Sequence, residues 1–404
     1  MTGTTPAHIA VVNLPMHGHV NPTLGVVGEL VRRGHRVTYA ITEDFAHQVK
    51  AVGAEPVLYP VEPGDGPEPP ERLSEGFALA VHASLGSLPA LTRAYTADRP
   101  DLILYDVYGF AGLILAEQWR IPTVLFSPTH LVYDGLFPEL FDGAPRFSAL
   151  PGYDDLAGAF TERGLDSSRI HEIEHPDHAV AALPRIFQRR PDTVAARRAA
   201  YVGPALDDRS YQGAWHPPHP DTPVLLVSLG SQFTKRPDFY RACVEAFAGL
   251  ESWHVVMSVG PNVSAADLGP LPAHVETHAH VPQLCVLSHA DAFITHAGMG
   301  GTMEAVHHGV PMVAVPQMAE QRVNAGQIEA LRLGVHLPRE QATPEALREA
   351  VLRVTSDPEI HSGIQSLRTE LEAAGGARAA ADLIEEALAA PTVDEPAVPR
   401  WGCP

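Results

Sequence analysis

Cysteine is scarce in this chain of 404 residues, which contains only Cys243, Cys285 and Cys403. So few and such widely spaced cysteines do not form a disulfide framework, and no CxxC pair indicates a zinc site. Unpaired cysteines are typical of reduced compartments. The sequence therefore predicts a cytoplasmic protein without a bound metal.

Positive charge is also in short supply. The chain has 28 Lys and Arg against 48 Asp and Glu, which gives a formal net charge of -20. A nucleic-acid-binding protein needs a basic face to displace counterions, and docking on an anionic membrane needs a basic patch. This composition argues against both partners.

Long apolar runs are missing as well. No stretch approaches the roughly 18–20 apolar residues that are needed to cross a bilayer. Residues 1–7 are polar and lack the basic start and apolar stretch of a secretion signal. We expect no stable membrane insertion, so that the protein meets its substrate in solution or at a membrane surface.

Three ligand-binding motifs are absent. The sequence has neither a GxGxxG dinucleotide fingerprint nor a GxxxxGK[ST] phosphate loop. It also has no Asp-x-Asp, although enzymes that hold a nucleotide diphosphate through a divalent metal usually need such paired carboxylates. A bound diphosphate would therefore depend on a helix start and nearby side chains.

What the chain does contain is a repeated α/β pattern. Its length fits two domains, and its 45% of hydrophobic residues predict packed cores. Each half opens with a strand, a polar turn, a helix and a second strand, the opening strands being residues 8–14 and 222–229. Such units imply parallel strands. We predict an α/β fold of two Rossmann-like doubly wound domains that face each other across a cleft.

A polar, proline-rich segment separates the two halves. We assign residues 1–205 to the first domain, 206–222 to a linker and 223–385 to the second domain, with a tail over 386–404.

Local signals predict where several elements begin and end. Asn21 is expected to cap the first helix, with Pro22 at its first position and Gly34 at its end. A compact βαβ unit with a helix over 302–308 is expected near the end of the second half. The weakly periodic segments 61–75 and 132–177 are predicted to be loops and irregular helices that carry specificity.

Two histidines, His17 and His19, follow the first strand. A histidine at a strand end faces the cleft and can take a proton near neutral pH, so we predict His19 as a general base and give His17 a supporting role. The chain has 22 histidines, so position rather than residue type singles out His19. A zinc site in a barrel hydrolase is an alternative, but the central linker argues against a barrel.

Asp106 ends an apolar strand that begins near Pro100. At that position a carboxylate points at the cleft, where it could hold the His19 imidazole in one tautomer and stabilise its protonated form. Asp106 could instead cap the following helix, since aspartate is a good N-cap.

The strongest local signal is the turn that runs from Thr295 to Glu304. A strand ends, His296 follows, and Gly298, Gly300 and Gly301 crowd the start of a helix. Glycines allow a backbone to approach an anion, and free N–H groups at a helix start attract phosphate. Glu304 could accept hydrogen bonds from ribose hydroxyls. A plain tight turn is the alternative.

Weaker signals end two other strands. Glu320 and Gln321 offer a carboxylate and an amide that suit recognition of sugar hydroxyls. Gly230 and Ser231 form a second turn that could face a phosphate.

Together these motifs resemble the nucleotide-sugar-dependent natural-product glycosyltransferases of the GT-B fold, above all the actinomycete macrolide glycosyltransferases that glucosylate antibiotics as self-protection. The similarity runs from His8 to about Leu388. It is carried by residues 17–22, 101–106, 227–231, 281–283, 295–304 and 316–324.

The resemblance implies an inverting, metal-independent transfer. His19 would deprotonate the acceptor hydroxyl, with Asp106 orienting it. The donor would be a UDP- or dTDP-sugar, with UDP-glucose favoured, used as a co-substrate rather than a permanently bound cofactor. Val281 and Gln283 would lie along the base of the donor, Glu304 would contact its ribose, and Glu320 with Gln321 would contact its sugar. The remaining donor contacts would be Ser231 and, at the diphosphate, His296, Gly298, Gly300, Gly301 and Thr302.

Two departures from the family pattern leave choices open. His280 stands where many relatives have a base-stacking tryptophan, so uridine and thymidine remain alternatives. Glu320 stands where relatives often have aspartate. The resemblance also implies a hydrophobic small-molecule acceptor and a C-terminal segment, near Glu385 to Val398, that returns to the first domain. A nucleotide-sugar epimerase and a catalytically silent partner of another enzyme are the alternative functions.

Overall fold

The computed structural model describes residues 5–60, 72–207 and 209–390. Within these ranges the chain forms two open sheets whose paired strands are all parallel. The predicted α/β class with two doubly wound domains is confirmed. The barrel alternative is wrong, because neither sheet closes on itself.

The first sheet has the strand order β3-β2-β1-β4-β5-β6-β7. Its strands are β1 (His8–Val12), β2 (Arg36–Ile41), β3 (Glu55–Leu58), β4 (Leu102–Asp106), β5 (Thr123–Ser127), β6 (His178–Ala181) and β7 (Arg198–Tyr201). The helices of this domain are α1 (His17–Arg32), α2 (Glu43–Ala51), α3 (Leu73–Thr96), α4 (Phe110–Trp119), α5 (Leu136–Leu140) and α6 (Tyr153–Thr161).

The second sheet has the order β10-β9-β8-β11-β12-β13. Its strands are β8 (Val224–Ser228), β9 (His254–Ser258), β10 (Val275–His278), β11 (Ala292–Thr295), β12 (Met312–Ala314) and β13 (Gly334–His336). The helices that follow β8 are α7 (Pro237–Phe247), α8 (Ala265–Leu268), α9 (Gln283–Leu287), α10 (Met299–His308), α11 (Ala319–Ala330), α12 (Pro344–Ser356), α13 (Pro358–Ala373) and α14 (Gly376–Ala389).

The central strand β1 shows why these segments form sheets covered on both faces. All five of its residues are buried. Ile9 and Val11 pack into a cluster that contains residues of α1 and α14, whereas Ala10 and Val12 pack into the cluster that contains residues of α3 and α4. A continuous apolar run of this kind is typical of a strand in a parallel sheet that is buried on both sides.

Helix α14 brings the chain back to the first domain. Helix α14 packs against α1 and contacts β5, β6 and β7. This helix begins before residue 386, where the tail was expected to start; residues 391–404 of the predicted tail lie outside the described residues. The first sheet ends at Tyr201 and the second begins at Val224.

Three local predictions need correction. Helix α1 begins at His17, with Pro22 inside it rather than at its first position. Helix α10 begins at Met299 rather than Thr302, so Gly300 and Gly301 belong to its first turn. Residues 73–75, predicted to belong to loops and irregular helices, begin the long regular helix α3; residues 61–71 of that predicted segment lie outside the described residues. Pro22 is the sixth residue of α1, past the first four N–H groups that lack helical partners, so the helix gives up one backbone hydrogen bond there.

Of the helices in the described part of the chain, none is both long and apolar enough to cross a bilayer.

Candidate active site

The two sheets meet at a cleft of about 1020 Å³. In the first sheet β1 lies between β2 and β4, and in the second β8 lies between β9 and β11. The strand order reverses at both places, and open parallel sheets bind ligands at the carboxyl ends of strands at such points. Residues of both domains and of the segment between them line the cleft.

His19 and Asp106 form the polar centre of the wall contributed by the first domain. His19 Nδ1 lies 2.7 Å from Asp106 Oδ2. Because β1 and β4 pair in parallel, Asp106 at the end of β4 lies beside the turn that leads from β1 to His19 at the start of α1. Asp106 is fully buried, whereas 14% of the His19 side chain remains exposed at the cleft.

The Asp106 carboxylate is held by the backbone as well. The N–H groups of Leu14 and Tyr108 donate to it at 3.1 and 2.8 Å. Its alternative role as a helix cap is not observed, because Gly109 occupies the N-cap of α4. A fixed carboxylate that accepts from Nδ1–H holds the imidazole in one tautomer and leaves Nε2 as the ring nitrogen that can take a proton.

His17 and His280 also line the cleft. The His17 ring packs edge-on against Phe45, with ring centroids 4.9 Å apart. Partial desolvation in the cleft, followed by the electrostatic effect of His280 and Arg209, lowers the pKa of His17. His280, at the predicted base-stacking position, is exposed.

The glycine turn of the second domain is built around the His296 ring. A Cβ atom added at Gly298 would lie 2.4 Å from His296 Nε2, and one added at Gly230 would lie 2.6 Å from His296 Cε1. Both positions therefore need glycine because the ring fills the space beside them. Burial lowers the pKa of His296 to about 4, against a hydrogen bond with the Ser228 backbone. The ring is neutral at physiological pH.

The start of α10 presents backbone donors to the cleft. Gly298 is the N-cap, and Met299, Gly300 and Gly301 form the first turn, whose N–H groups have no partner within the helix. All four residues line the cleft, and a Cβ atom added at Gly300 would meet nothing within 4 Å. This combination of free donors and open space is the usual anion site of a helix N-terminus.

Thr302 does not fit its predicted diphosphate contact. It is fully buried, and both its N–H and its hydroxyl donate to the carbonyl oxygen of Gly298, at 3.0 and 2.9 Å. Thr302 therefore holds the turn together and has no donor left for a phosphate.

Glu304 lines the cleft but is 4% exposed. Its Oε2 accepts from Gln283 Nε2 at 2.6 Å, and its Oε1 accepts from Arg209 Nη1 at 2.7 Å. Gln283 and Glu304, both predicted to contact the nucleotide-sugar donor, thus lie side by side. Arg209 was missed by sequence reasoning, since a single arginine in a linker belongs to no motif.

Glu320 lies at the start of α11 and bridges the domains. Its Oε1 accepts from Thr129 Oγ1 at 2.9 Å and from Asn324 Nδ2 at 3.1 Å. The neighbouring Gln321 accepts from the N–H of Gln317 at 2.8 Å, which fixes the orientation of its amide. Both predicted sugar contacts line the cleft, as do Ser231 and Val281.

An apolar chamber extends the cleft into the first domain. Seven of its residues belong to the predicted specificity segment 132–177, and Phe77 and Leu131 join them from outside it; the seven are Val132, Leu136, Phe137, Leu140, Phe141, Phe147 and Ile173. The acidic residues that line the cleft, within the described ranges, are Glu304 and Glu320 of the second domain. No group of three or more His, Cys, Asp or Glu in those ranges is placed to hold a metal ion.

Known proteins are similar to this chain over nearly its whole length. Residues 250–387 match the family described as erythromycin biosynthesis protein CIII-like, C-terminal domain. Oleandomycin glycosyltransferase of Streptomyces antibioticus is 40% identical over 398 residues, which covers 96% of this chain and 93% of the relative. Demethyllactenocin mycarosyltransferase of Streptomyces fradiae is 38% identical, with coverage of 95% and 87%. The crystal structure of the glycosyltransferase of kitacinnamycin is 38% identical, with a TM-score of 0.83 and coverage of 95% and 99%.

Proposed function

This chain belongs to the natural-product glycosyltransferases of the GT-B fold, and on that premise we propose that it moves glucose from UDP-glucose to a hydroxyl group of a hydrophobic acceptor of macrolide type, with inversion at the anomeric carbon. The observation that carries this proposal is the His19–Asp106 pair, at 2.7 Å, in a cleft that also contains the α10 helix start.

The proton leaves the acceptor first in the proposed step. His19 Nε2 accepts it from the hydroxyl group, and the buried Asp106 carboxylate stabilises the imidazolium that forms. The acceptor oxygen then forms a bond to the anomeric carbon as the bond from that carbon to the diphosphate oxygen breaks. A single displacement of this kind inverts the anomeric configuration, so an α-linked donor gives a β-linked product.

The leaving diphosphate takes the electron pair and its negative charge. The N–H groups of Met299, Gly300 and Gly301 are the donors available at the N-terminus of α10, where the helix dipole also favours an anion. His296 contributes as a neutral group in this account, because its lowered pKa leaves the ring uncharged.

The acceptor would occupy the apolar chamber of the first domain. Its phenylalanine and leucine side chains favour burial of an apolar ring system, and hydrophobic burial contributes roughly 25 cal/mol per Å². The name of the 40% identical relative, oleandomycin glycosyltransferase, supports a macrolide-type acceptor. We extend the proposal to a role in antibiotic resistance by self-protection, as the resemblance to actinomycete macrolide glycosyltransferases implies.

The proposal is tested by incubating the purified protein with UDP-glucose or dTDP-glucose and a panel of macrolide and flavonoid acceptors, followed by mass spectrometry. We expect a hexose-sized mass gain of the acceptor with UDP-glucose, and NMR should show a β-linkage. The reaction should persist in excess chelator, since the donor phosphates are proposed to be held without a metal.

Two controls separate the alternatives. A donor that is converted to a different sugar in the absence of acceptor would favour the epimerase and contradict the proposal. A folded protein that gives no mass gain with any pairing would contradict both the donor and the acceptor class proposed.

A further inference from the structure

Arg209 belongs to the segment between the two sheets. It places a buried positive charge in the wall of the cleft, on the side proposed to bind the sugar donor. It follows β7 and precedes β8, yet only 6% of its side chain is exposed, and it lines the cleft. Its φ of 42° is a left-handed conformation that a non-glycine residue seldom adopts. The surrounding contacts therefore define its position closely.

Within the described residues, the guanidinium has two carboxylate partners. Nη1 donates to Glu304 Oε1 at 2.7 Å, and Nε donates to Asp207 Oδ1 at 3.3 Å. Burial acts to lower the pKa of Arg209, but Glu304 and Asp207 outweigh it and raise that pKa above its ordinary value. Arg209 is thus a permanently charged partner for a carboxylate that has almost no contact with solvent.

Glu304 needs such a partner because it lies close to the proposed anion site at the start of α10. It lies four residues after Gly300 on α10, which is about 6 Å along the helix axis. A diphosphate bound at the start of α10 would be a second anion close to this carboxylate, and like charges in a poorly solvated wall repel one another strongly. Without a cation, Glu304 would weaken the binding of the anion beside it.

The pairing also leaves Glu304 able to bind a ligand. Each carboxylate oxygen has two lone pairs, and here Oε1 uses one for Arg209 and Oε2 uses one for Gln283. The remaining lone pairs are fixed in direction by these two side chains. Vicinal hydroxyl groups, such as those of a ribose, are donors that suit a carboxylate held in this way.

We propose that Arg209 is a positioning residue of the donor site, which neutralises and orients Glu304 so that one carboxylate can accept the ribose hydroxyls beside a bound diphosphate. This inference rests on the proposed function. It makes the segment between the domains part of the nucleotide site, so that this site is not built from the second domain alone.

The test is calorimetric titration of the full-length protein with UDP, which requires no acceptor and no turnover. We expect Arg209→Met to raise the Kd for UDP about ten- to a hundredfold, the range expected when a buried charged group loses its partner. Arg209→Lys, which keeps the charge but not the fork of donors, should recover part of the affinity. Arg185→Met removes an exposed arginine paired with Asp192 and should leave the Kd unchanged.

A double-mutant cycle separates positioning from a general structural role. In a Glu304→Gln background, Arg209→Met should cost much less, because no carboxylate remains to be neutralised. The preference for UDP over 2′-deoxy-UDP should also shrink in Arg209→Met, whereas a merely structural residue would affect both nucleotides equally. Thermal unfolding checks that each variant is folded. If Arg209→Met is not folded, the same comparisons are made with Arg209→Lys.

Four results would overturn the inference. An unchanged Kd for UDP in Arg209→Met would show that Arg209 has no role in donor binding. If Arg209→Met lost as much UDP affinity in the Glu304→Gln background as in the wild type, Arg209 would not act through Glu304. Tighter binding of UDP by Arg209→Met would show that Arg209 competes with the ribose. A wild-type protein that bound neither UDP nor dTDP would refute the proposed function itself, and with it this inference.

Discussion

Two adjacent arginines at the end of α1 differ sharply in what they contribute. Arg33 has 17% of its side chain exposed and donates to Glu29, Asp382, Glu385 and the carbonyl of Arg378. Arg32 is 66% exposed and donates only to Glu29 among the contacts observed in the described residues. Arg33 therefore ties α14 to the first domain, whereas Arg32 forms a surface ion pair.

Replacing each arginine with alanine should show this difference directly. We expect Arg33→Ala to lower the free energy of unfolding by about 1.5–3 kcal/mol, because several hydrogen-bonded carboxylates lose a half-buried partner. Arg32→Ala is the matched control and should cost less than about 1 kcal/mol, as exposed ion pairs do. Urea denaturation measures both; equal losses would mean that α14 is not held through Arg33.

At the residue scale, sequence reasoning could identify groups at strand ends but not their partners. His19 and Asp106 were predictable because each follows a clear apolar strand of a parallel sheet. The Arg209–Glu304 contact joins residues far apart in the chain through a buried ion pair, and no spacing or motif encodes it. Thr302 was misjudged for a related reason: its position suggested a phosphate donor, while its hydroxyl bonds to Gly298.

Among the elements, the turn between β11 and α10 contributes most to the site. Its glycines have two different uses. Gly298, with a φ of −63°, adopts a backbone that any residue can take, but the His296 ring leaves no room for a side chain there. Gly300 instead faces open space at the helix start. The shape of the turn thus depends on a buried aromatic ring as well as on backbone freedom.

Gly298→Ala should therefore displace the His296 ring. We expect a loss of about 1–3 kcal/mol in the free energy of unfolding, as overpacked sites show, together with weaker binding of UDP. Gly326→Ala is the control, because Gly326 lies in α11 and a Cβ added there meets nothing within 4 Å. Alanine in place of a helical glycine should raise the free energy of unfolding by roughly 0.5–1 kcal/mol. Chemical denaturation and calorimetry check both variants. Wild-type stability and UDP affinity in Gly298→Ala would contradict this packing.

Element types were predicted better than element boundaries. The strands and helices around β1 and β8 followed from apolar periodicity. The starts of α1 and α10 did not, because Asn21-Pro22 and Thr302 looked like helix-start signals although both helices begin earlier. Most of α3 lies in residues 76–96, for which no element is predicted from the sequence. In α1 and α10 the residues that resembled helix starts lie inside the helix.

Across the whole molecule, the site is divided between the domains. The proposed base and the apolar chamber belong to the first domain, and the helix start at α10 belongs to the second. Contacts such as Thr129–Glu320 and the bond from Gln327 Nε2 to the Phe187 carbonyl, at 3.0 Å, join the two across the cleft. The doubly wound fold was predictable from sequence, but these contacts depend on how the two domains face each other.

This division separates donor binding from chemistry, and His19→Ala tests it most directly. The decisive measurement is the single-turnover rate of sugar transfer from UDP-glucose, combined with the Kd for UDP-glucose. His82→Ala, which removes an exposed histidine paired with Asp155, is the control and should behave as wild type. For His19→Ala we predict a rate reduced by about 10²–10⁴-fold and a nearly unchanged Kd. A retained rate, or a loss of donor affinity as large as the loss of rate, would contradict the role of His19 as general base.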